Sequence, residues 1–259
     1  MRDLPTVELL GLSYAALTPD ALCEQLKKQL CCGQKPAKVF TPNVTISAAA
    51  HRDPALHQLL CTADLLLPDG QGVLLAARLS GTPLPCRLPG IEAGESVLRL
   101  CAAQKLPVYF LGAAPGIAEK AATAWKMRLP SLPIAGTHHG YFDVQKSDAI
   151  LADIRQSGAR AVLVCLGFPA QERWITEHAD YLPQVKIRLG LGGSFDVWAG
   201  ENRRAPRIFQ RLGLEWLWRT VQKPSRLRTL LPAFSYLFAA AKSKKAQNPV
   251  KIQQKIQSR

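Results

Sequence analysis

Acidic residues run out early in this 259-residue chain: none follows Glu215. Residues 201–259 hold 14 Lys and Arg against only Glu201 and Glu215, whereas the first 200 residues are near balance, 19 basic to 17 acidic. A charge so unevenly placed points to an anionic partner for the C-terminal part: a phosphate-bearing substrate, a membrane surface or a nucleic acid. The basic segment lacks the interleaved aromatics of an RNA-binding platform, which counts against the nucleic acid. No run of about 20 apolar residues, the length that spans a bilayer, occurs. The opening MRDLPTVELL has no signal-peptide pattern, so a cytoplasmic chain is expected. The seven cysteines include no CxxC pair, which argues against a disulfide framework or a zinc site. Cys31-Cys32 reads as a helix-end pair of small apolar residues. HExxH and DxD are both missing, so nothing in the sequence asks for a metal. GxGxxG with a later ribose-binding acid is missing too, which weighs against a nucleotide-sugar dehydrogenase.

What is present is a repeated strand–turn–helix grammar. Ala161 to Leu166 is an unbroken apolar run, the mark of a strand buried on both faces of a parallel sheet. Gly167 ends it, Pro169 sits where a first helical turn starts, and Gln171, Glu172 and Arg173 follow at once. That puts a polar cluster at the carboxyl end of a buried strand, where open α/β sheets bind their ligands. Further strands are expected at Val7–Leu12, Lys38–Phe40, from Asp64 to Pro68, at Pro107–Leu111, Ile134–Phe142 and Val185–Leu191. Helices are expected from Thr18-Pro19 to about Leu30, from Ile46 to Ala50, and over 54–62, 72–79, 92–104, 150–157 and about 206–221, with another ending at Arg128. Alternation of this kind predicts an α/β, Rossmann-like, mostly parallel sheet with flanking helices, plus a basic helical C-terminal appendage. The expected division is a catalytic core over 1–200, a membrane-associating appendage over 201–245 that completes the site, and a disordered tail over 246–259.

Strand ends at 41–43, 69, 112–116, 140–142, 167–172 and 192–196 all carry Gly, Pro or polar residues. Converging on one sheet edge, they would make a single cleft of backbone N–H donors and one strand-borne carboxylate, with arginines beside it. That inventory suits transfer from a nucleotide diphosphate, since charge develops on the leaving phosphates and Arg binds them bidentately. Taken alone, Asp69 reads as a turn residue or a catalytic base, and Asn43 as a helix cap or a ligand contact. His138 and His139, adjacent in a strand, are expected to face opposite ways and so not to share a metal.

Together these blocks resemble one family. Thr41-Pro42-Asn43, Pro68-Asp69-Gly70-Gln71-Gly72 and Arg87 with Gly90 are followed by His138-His139-Gly140-Tyr141-Phe142 and Gly167-Phe-Pro-Ala-Gln171-Glu172. Gly192-Gly193-Ser194-Phe195-Asp196, Ala199-Gly200, Arg204-Ala205-Pro206 and Leu214-Glu215-Trp216-Leu217-Trp218-Arg219 complete the series. In this order, over residues 7–229, the pattern is similar to that of the WecG/TagA/CpsF glycosyltransferases. The resemblance implies an inverting transferase; with no DxD and arginines plentiful, transfer without a metal or a cofactor is expected. Such an enzyme moves N-acetylmannosamine, its uronic acid or a related hexose from a UDP-sugar to a polyprenyl-diphosphate-linked acceptor. It implies Asp69 as general base and Thr41, Asn43, Arg87 and Gln171 as substrate-binding residues. It also implies work at the inner membrane face on teichoic acid, capsule or other polysaccharide precursors, with homo-oligomerisation left open. Lys223-Pro224 and Thr229-Leu230 depart from the family pattern, so Arg219 and Arg226 are the diphosphate ligands it implies, with Arg228 as a substitute.

The apolar island at 230–241 has two readings. Leu230, Phe234, Leu237 and Phe238 could bury one helical face in a membrane interface, with the helix starting at Pro232. Alternatively the island docks on the protein body.

Overall fold

The computed structural model describes residues 4–143, 147–202 and 230–257. Six parallel strands form the central sheet: β3 (Ala37–Phe40), β4 (Leu65–Leu66), β5 (Val108–Gly112), β6 (Ile134–His138), β7 (Ala161–Cys165) and β8 (Ile187–Gly190). Their spatial order is β4-β3-β8-β7-β5-β6, and every pairing is parallel. β5, β7 and β8 are buried at each position, as a strand covered on both faces must be.

Alternate residues of these strands feed two cores. Val39, Phe110, Leu163 and Leu189 pack with α1 (Pro19–Cys32), α5 (Gly90–Gln104), α6 (Ile117–Arg128) and α9 (Ser194–Trp198). Phe40, Tyr109, Leu111, Val162 and Val164 pack with α2 (Val44–Arg52), α3 (Pro54–Cys61), α4 (Gln71–Ser80), α7 (Asp148–Gln156) and α8 (Ala170–Glu177). Local chemistry explains the helix ends. Thr18 caps α1 by accepting from the Ala21 N–H, and Leu22, Leu26 and Leu30 fall on its buried face. Asp53 caps α3 in the same way, ahead of Pro54 at its first position.

The topology creates the crevice. The chain leaves β3 outward to β4, crosses to the other half of the sheet, and returns last to lay β8 beside β3. The helix after β3, α2, lies on one face, while the helix after β8, α9, lies on the other. Two neighbouring strands whose helices depart to opposite faces leave a gap at their carboxyl ends.

Two expectations are corrected at the ends of the chain. Val7–Leu12 is not one strand of the main sheet. β1 (Thr6–Leu9) and β2 (Leu12–Ala15) form an antiparallel hairpin of their own. Leu10 and Gly11, at φ +49° and +85°, make the two-residue turn with both central residues left-handed that right-twisted hairpins favour. At the other end, one helix runs from Leu230 to Gln257 and passes through the tail expected to be disordered. Lys and Gln are good helix formers, and composition alone does not weigh that.

This C-terminal helix is already formed at Leu230, ahead of Pro232, and it lies against α2 and α4. Ala233, Tyr236 and Ala240 are buried in that contact, and Leu237 packs partly against the same core. The Tyr236 ring meets His51 of α2 edge-on at 5.8 Å. Beside it, the Tyr14 hydroxyl and Ser47 Oγ of α2 share a buried hydrogen bond of 2.6 Å. The island therefore docks on the body through one face. Its opposite face carries Leu231, Phe234 and Phe238, all exposed.

Candidate active site

Three turns are stitched together at the carboxyl ends of β3 and β4. Asp69 N–H donates to the Pro42 carbonyl at 3.3 Å, and Leu88 N–H donates to the Pro68 carbonyl at 2.8 Å. These bonds hold Pro68-Asp69 between the Thr41–Asn43 turn and the Arg87–Gly90 loop. Gly70, at φ +88°, then swings the chain into α4, a conformation few L-residues tolerate. α4 and α5 both begin here, and neither N-cap residue, Gly70 or Pro89, supplies a side-chain cap. Helix starts of this kind aim N–H groups and a partial positive charge outward, which favours anions.

Thr41 is buried at the end of β3, and its hydroxyl donates to the Gly190 carbonyl of β8 at 3.0 Å. Gly90 at the start of α5 packs on it so closely that a Cβ there would lie 2.7 Å from Thr41 Oγ1. Asn43 does cap α2: its Oδ1 accepts from the N–H groups of Thr45 and Ile46. Capping uses only the carbonyl end, so the amide nitrogen remains available for another partner. Arg87 reaches Glu92 of α5 at 4.0 Å, with its side chain 22% exposed. Thr41, Asn43, Asp69 and Arg87 thus come from loops tied to one another.

Gln171, expected to contact a ligand in the cleft, is 3% exposed. Its Oε1 accepts from Gly192 N–H at 2.9 Å, and its Nε2 donates to Glu172 Oε1 at 2.9 Å. The amide also lies over Gly190, where a Cβ would come 2.8 Å from Nε2. Gln171 therefore forms the wall behind the β8 turn. Of the polar cluster read after Gly167, only Arg173 is exposed; Gln171 and Glu172 turn inward. Burial pushes the Glu172 carboxyl up to about 7, against smaller lowering by hydrogen bonds from Gln171 and a backbone N–H.

All the strand ends lie on one sheet edge, with β6 four strands from β3 in the sheet order. The turn after β6 folds back over the ends of β5 and β7: Gly140 N–H donates to the Ala113 carbonyl at 2.7 Å, and a Cβ at Gly140 would lie 2.8 Å from the Leu166 side chain. His138 and His139 do not face opposite ways. Their ring centroids are 4.7 Å apart, because β6 ends at His138 and the next residue has left the strand. Among the described residues no cluster of three or more His, Cys, Asp or Glu is placed to hold a metal. Arg219, Arg226 and Arg228 lie outside the described residues.

Residues 7–248 match the glycosyl transferase WecG/TagA/CpsF family. The chain belongs to that family. It is 36% identical over 212 residues, 82% of this chain and 81% of the relative, to an N-acetylglucosaminyldiphosphoundecaprenol N-acetyl-beta-D-mannosaminyltransferase of Bacillus spizizenii. It is 33% identical over 242 residues, 92% of this chain and 94% of the relative, to the protein of the same name from Staphylococcus aureus strain MRSA252. The protein is a glycosyltransferase, and the β3–β4–β8 edge is its candidate active site.

Two features of this glycosyltransferase site escaped the motif reading. Gly190 was lost inside an apolar strand, although a glycine closing such a strand is itself a signal of close approach. Gly90 was noted as part of a loop rather than as the packing partner of Thr41. Replacing Gly190 by Ala should drive the Gln171 amide off the β8 turn. Misplacement of about 1 Å can cost about 10²-fold in rate. We expect turnover of the Gly190→Ala variant to fall on that order in a transfer assay, with the fold kept by circular dichroism.

Proposed function

We propose that this glycosyltransferase moves N-acetylmannosamine, its uronic acid or a related hexose from a UDP-sugar to a polyprenyl-diphosphate-linked N-acetylglucosamine. The products would serve cell-surface polysaccharide or teichoic acid synthesis. The observation that carries this reading is the tethering of Asp69 beside Thr41 and Asn43, in a chain of this family. The names of the two relatives support the acceptor and the sugar.

The chemistry is a single displacement. The acceptor hydroxyl oxygen attacks the anomeric carbon, and the Asp69 carboxylate takes the hydroxyl proton as the bond forms. The bond from the anomeric carbon to the diphosphate oxygen breaks on the opposite side, and UDP leaves with the electron pair. One displacement inverts the anomeric centre. Charge growing on the leaving diphosphate is met by N–H groups at the α4 and α5 starts and by the arginines of the basic segment, Arg219 and Arg226 first and Arg228 as their substitute. Arg87, in the loop tied to Pro68, adds a further guanidinium suited to phosphate or carboxylate. No metal and no cofactor enters this scheme.

Asp69→Asn removes the proton acceptor and little else. Its turnover should drop by about 10²–10⁴-fold, the usual effect of losing a general base, while UDP-sugar binding by calorimetry persists. Near-normal turnover would end the assignment. Arginine in place of a metal also predicts that the rate holds in excess EDTA. Restoration of a lost rate by Mg²⁺ or Mn²⁺ would contradict it.

The acceptor's lipid requires a chain that reaches the membrane surface. No helix among the described residues is long and apolar enough to cross a bilayer, so the reading is peripheral attachment at the cytoplasmic face. Leu231, Phe234 and Phe238 on the C-terminal helix, with Leu75 and Leu79 on the adjoining α4, are the exposed apolar side chains suited to it. Lys242 lies over the Phe238 ring at 4.9 Å, and Lys244 flanks the end of α4 at Gly81. Each basic residue near an anionic leaflet adds about 1 kcal/mol. Phe234→Glu with Phe238→Glu should abolish co-sedimentation with anionic vesicles and leave turnover of a water-soluble acceptor unchanged. Unchanged vesicle binding with a dimer converted to monomer would assign this face to a second copy instead.

A further inference from the structure

We propose that Glu172 is a positioning residue: it fixes the amide of Gln171, and through it the Gly190–Gly193 end of β8 that Thr41 grips from the other side. The inference rests on the reading of the β3–β4–β8 edge as the site of sugar transfer and adds a residue to which no role has been given.

The geometry is a relay through three residues. Gly192 N–H donates to Gln171 Oε1, which settles the orientation of the amide, and the opposite end of that amide donates to Glu172 Oε1. Without an acceptor at residue 172 the Gln171 nitrogen would be a buried donor with one bond fewer, and the amide could turn away from Gly192. Glu172 is itself 2% exposed, and its second oxygen, Oε2, is buried without a hydrogen-bond partner among the described residues. A carboxylate so enclosed needs a cation or several donors; among the described residues no cation pairs with it, and its donors are Gln171 Nε2 and one backbone N–H. The elements packed against α8 are α3, β3, β7 and β8. On α3, His57 is engaged with Cys61 at 3.6 Å. On β8, the Arg188 guanidinium donates to the Ala179 and Leu182 carbonyls at 2.6 Å. Lys38 on β3 and Cys165 on β7 are the remaining titratable side chains of those strands. None of these groups contributes to the shift of Glu172, whose causes are burial and two hydrogen bonds. Below about pH 7 the side chain is therefore the neutral acid, which presents one carbonyl-type acceptor to Gln171 and avoids a buried charge.

That protonation has a thermodynamic signature. The folded chain keeps a proton on Glu172 up to about pH 7, whereas the unfolded chain releases it near the ordinary carboxyl value of 4.5. Between those values the folded state binds more protons than the unfolded one, so stability falls as pH rises, and it is level again above 7.

The test compares Glu172→Gln and Glu172→Ala in the full chain. The Gln variant retains the acceptor and cannot ionise. We expect it to turn over at close to the parental rate and to gain in Tm relative to the parent as pH is raised from 4.5 to 7. The Ala variant should lose about 10²-fold in kcat, the scale of a misplaced site, with the KM for the UDP-sugar within about twofold. Equal loss in both variants would overturn the proposal, because the acid itself would then be required. Full kcat with a lowered Tm in the Ala variant would overturn it too, leaving a purely structural residue. A parental chain that transfers no sugar would defeat the functional reading alone, and the Tm comparison would still decide whether Glu172 is held neutral.

Discussion

The end of β8 is held from two sides, and the rest of the site depends on that grip. Thr41 at the end of β3 donates its hydroxyl to the Gly190 carbonyl, and Gln171 from α8 covers the same glycine and binds Gly192. A side chain at Gly190 would break the second contact, and a side chain at Gly90 would break the packing behind the first. β8, the last strand among the described residues, lies between β3 and β7. Glycines at contact points let three backbones approach within hydrogen-bonding range where any larger residue would hold them apart.

Asp69, the proposed base, and the exposed apolar face of the C-terminal helix are joined through the same helices. α2 starts at Asn43 and α4 starts at Gly70, next to Asp69, and both carry the C-terminal helix on their outer side. Tyr236 and Ala240 fill that contact, while Phe234 and Phe238 point away from it. A helix that is buried along one stripe and apolar along another has two partners to satisfy. The first partner is the core, and it explains why a segment that composition set apart lies against the body of the enzyme.

Much of the architecture was legible because it rests on local rules. The apolar run at Ala161–Leu166 with Gly167 and Pro169 after it read as a buried parallel strand and a helix start, and Thr18-Pro19 announced α1. Asn43 as a cap, and the gathering of Thr41, Asn43, Asp69 and Arg87, followed from turn chemistry and family pattern. What stayed hidden depended on long-range partners. Gln171 and Glu172 look like surface residues in the sequence, because nothing local says that Gly190 and Gly192, some twenty residues on, will lie against them. The hairpin at Leu10-Gly11 was hidden for another reason: Leu10 adopts a positive φ that a leucine rarely takes. The paired His138 and His139 were misjudged because the strand ends at His138 instead of running on to Phe142.

The measurement that tests the account most directly is the structure of the product formed from a UDP-sugar panel and a synthetic lipid-diphosphate N-acetylglucosamine acceptor. The account predicts that UDP-N-acetylmannosamine or a close relative is consumed, with UDP released and the new glycosidic bond inverted at the anomeric carbon by NMR. Transfer with retained configuration, or no transfer from any UDP-sugar to a lipid-diphosphate acceptor, would contradict it.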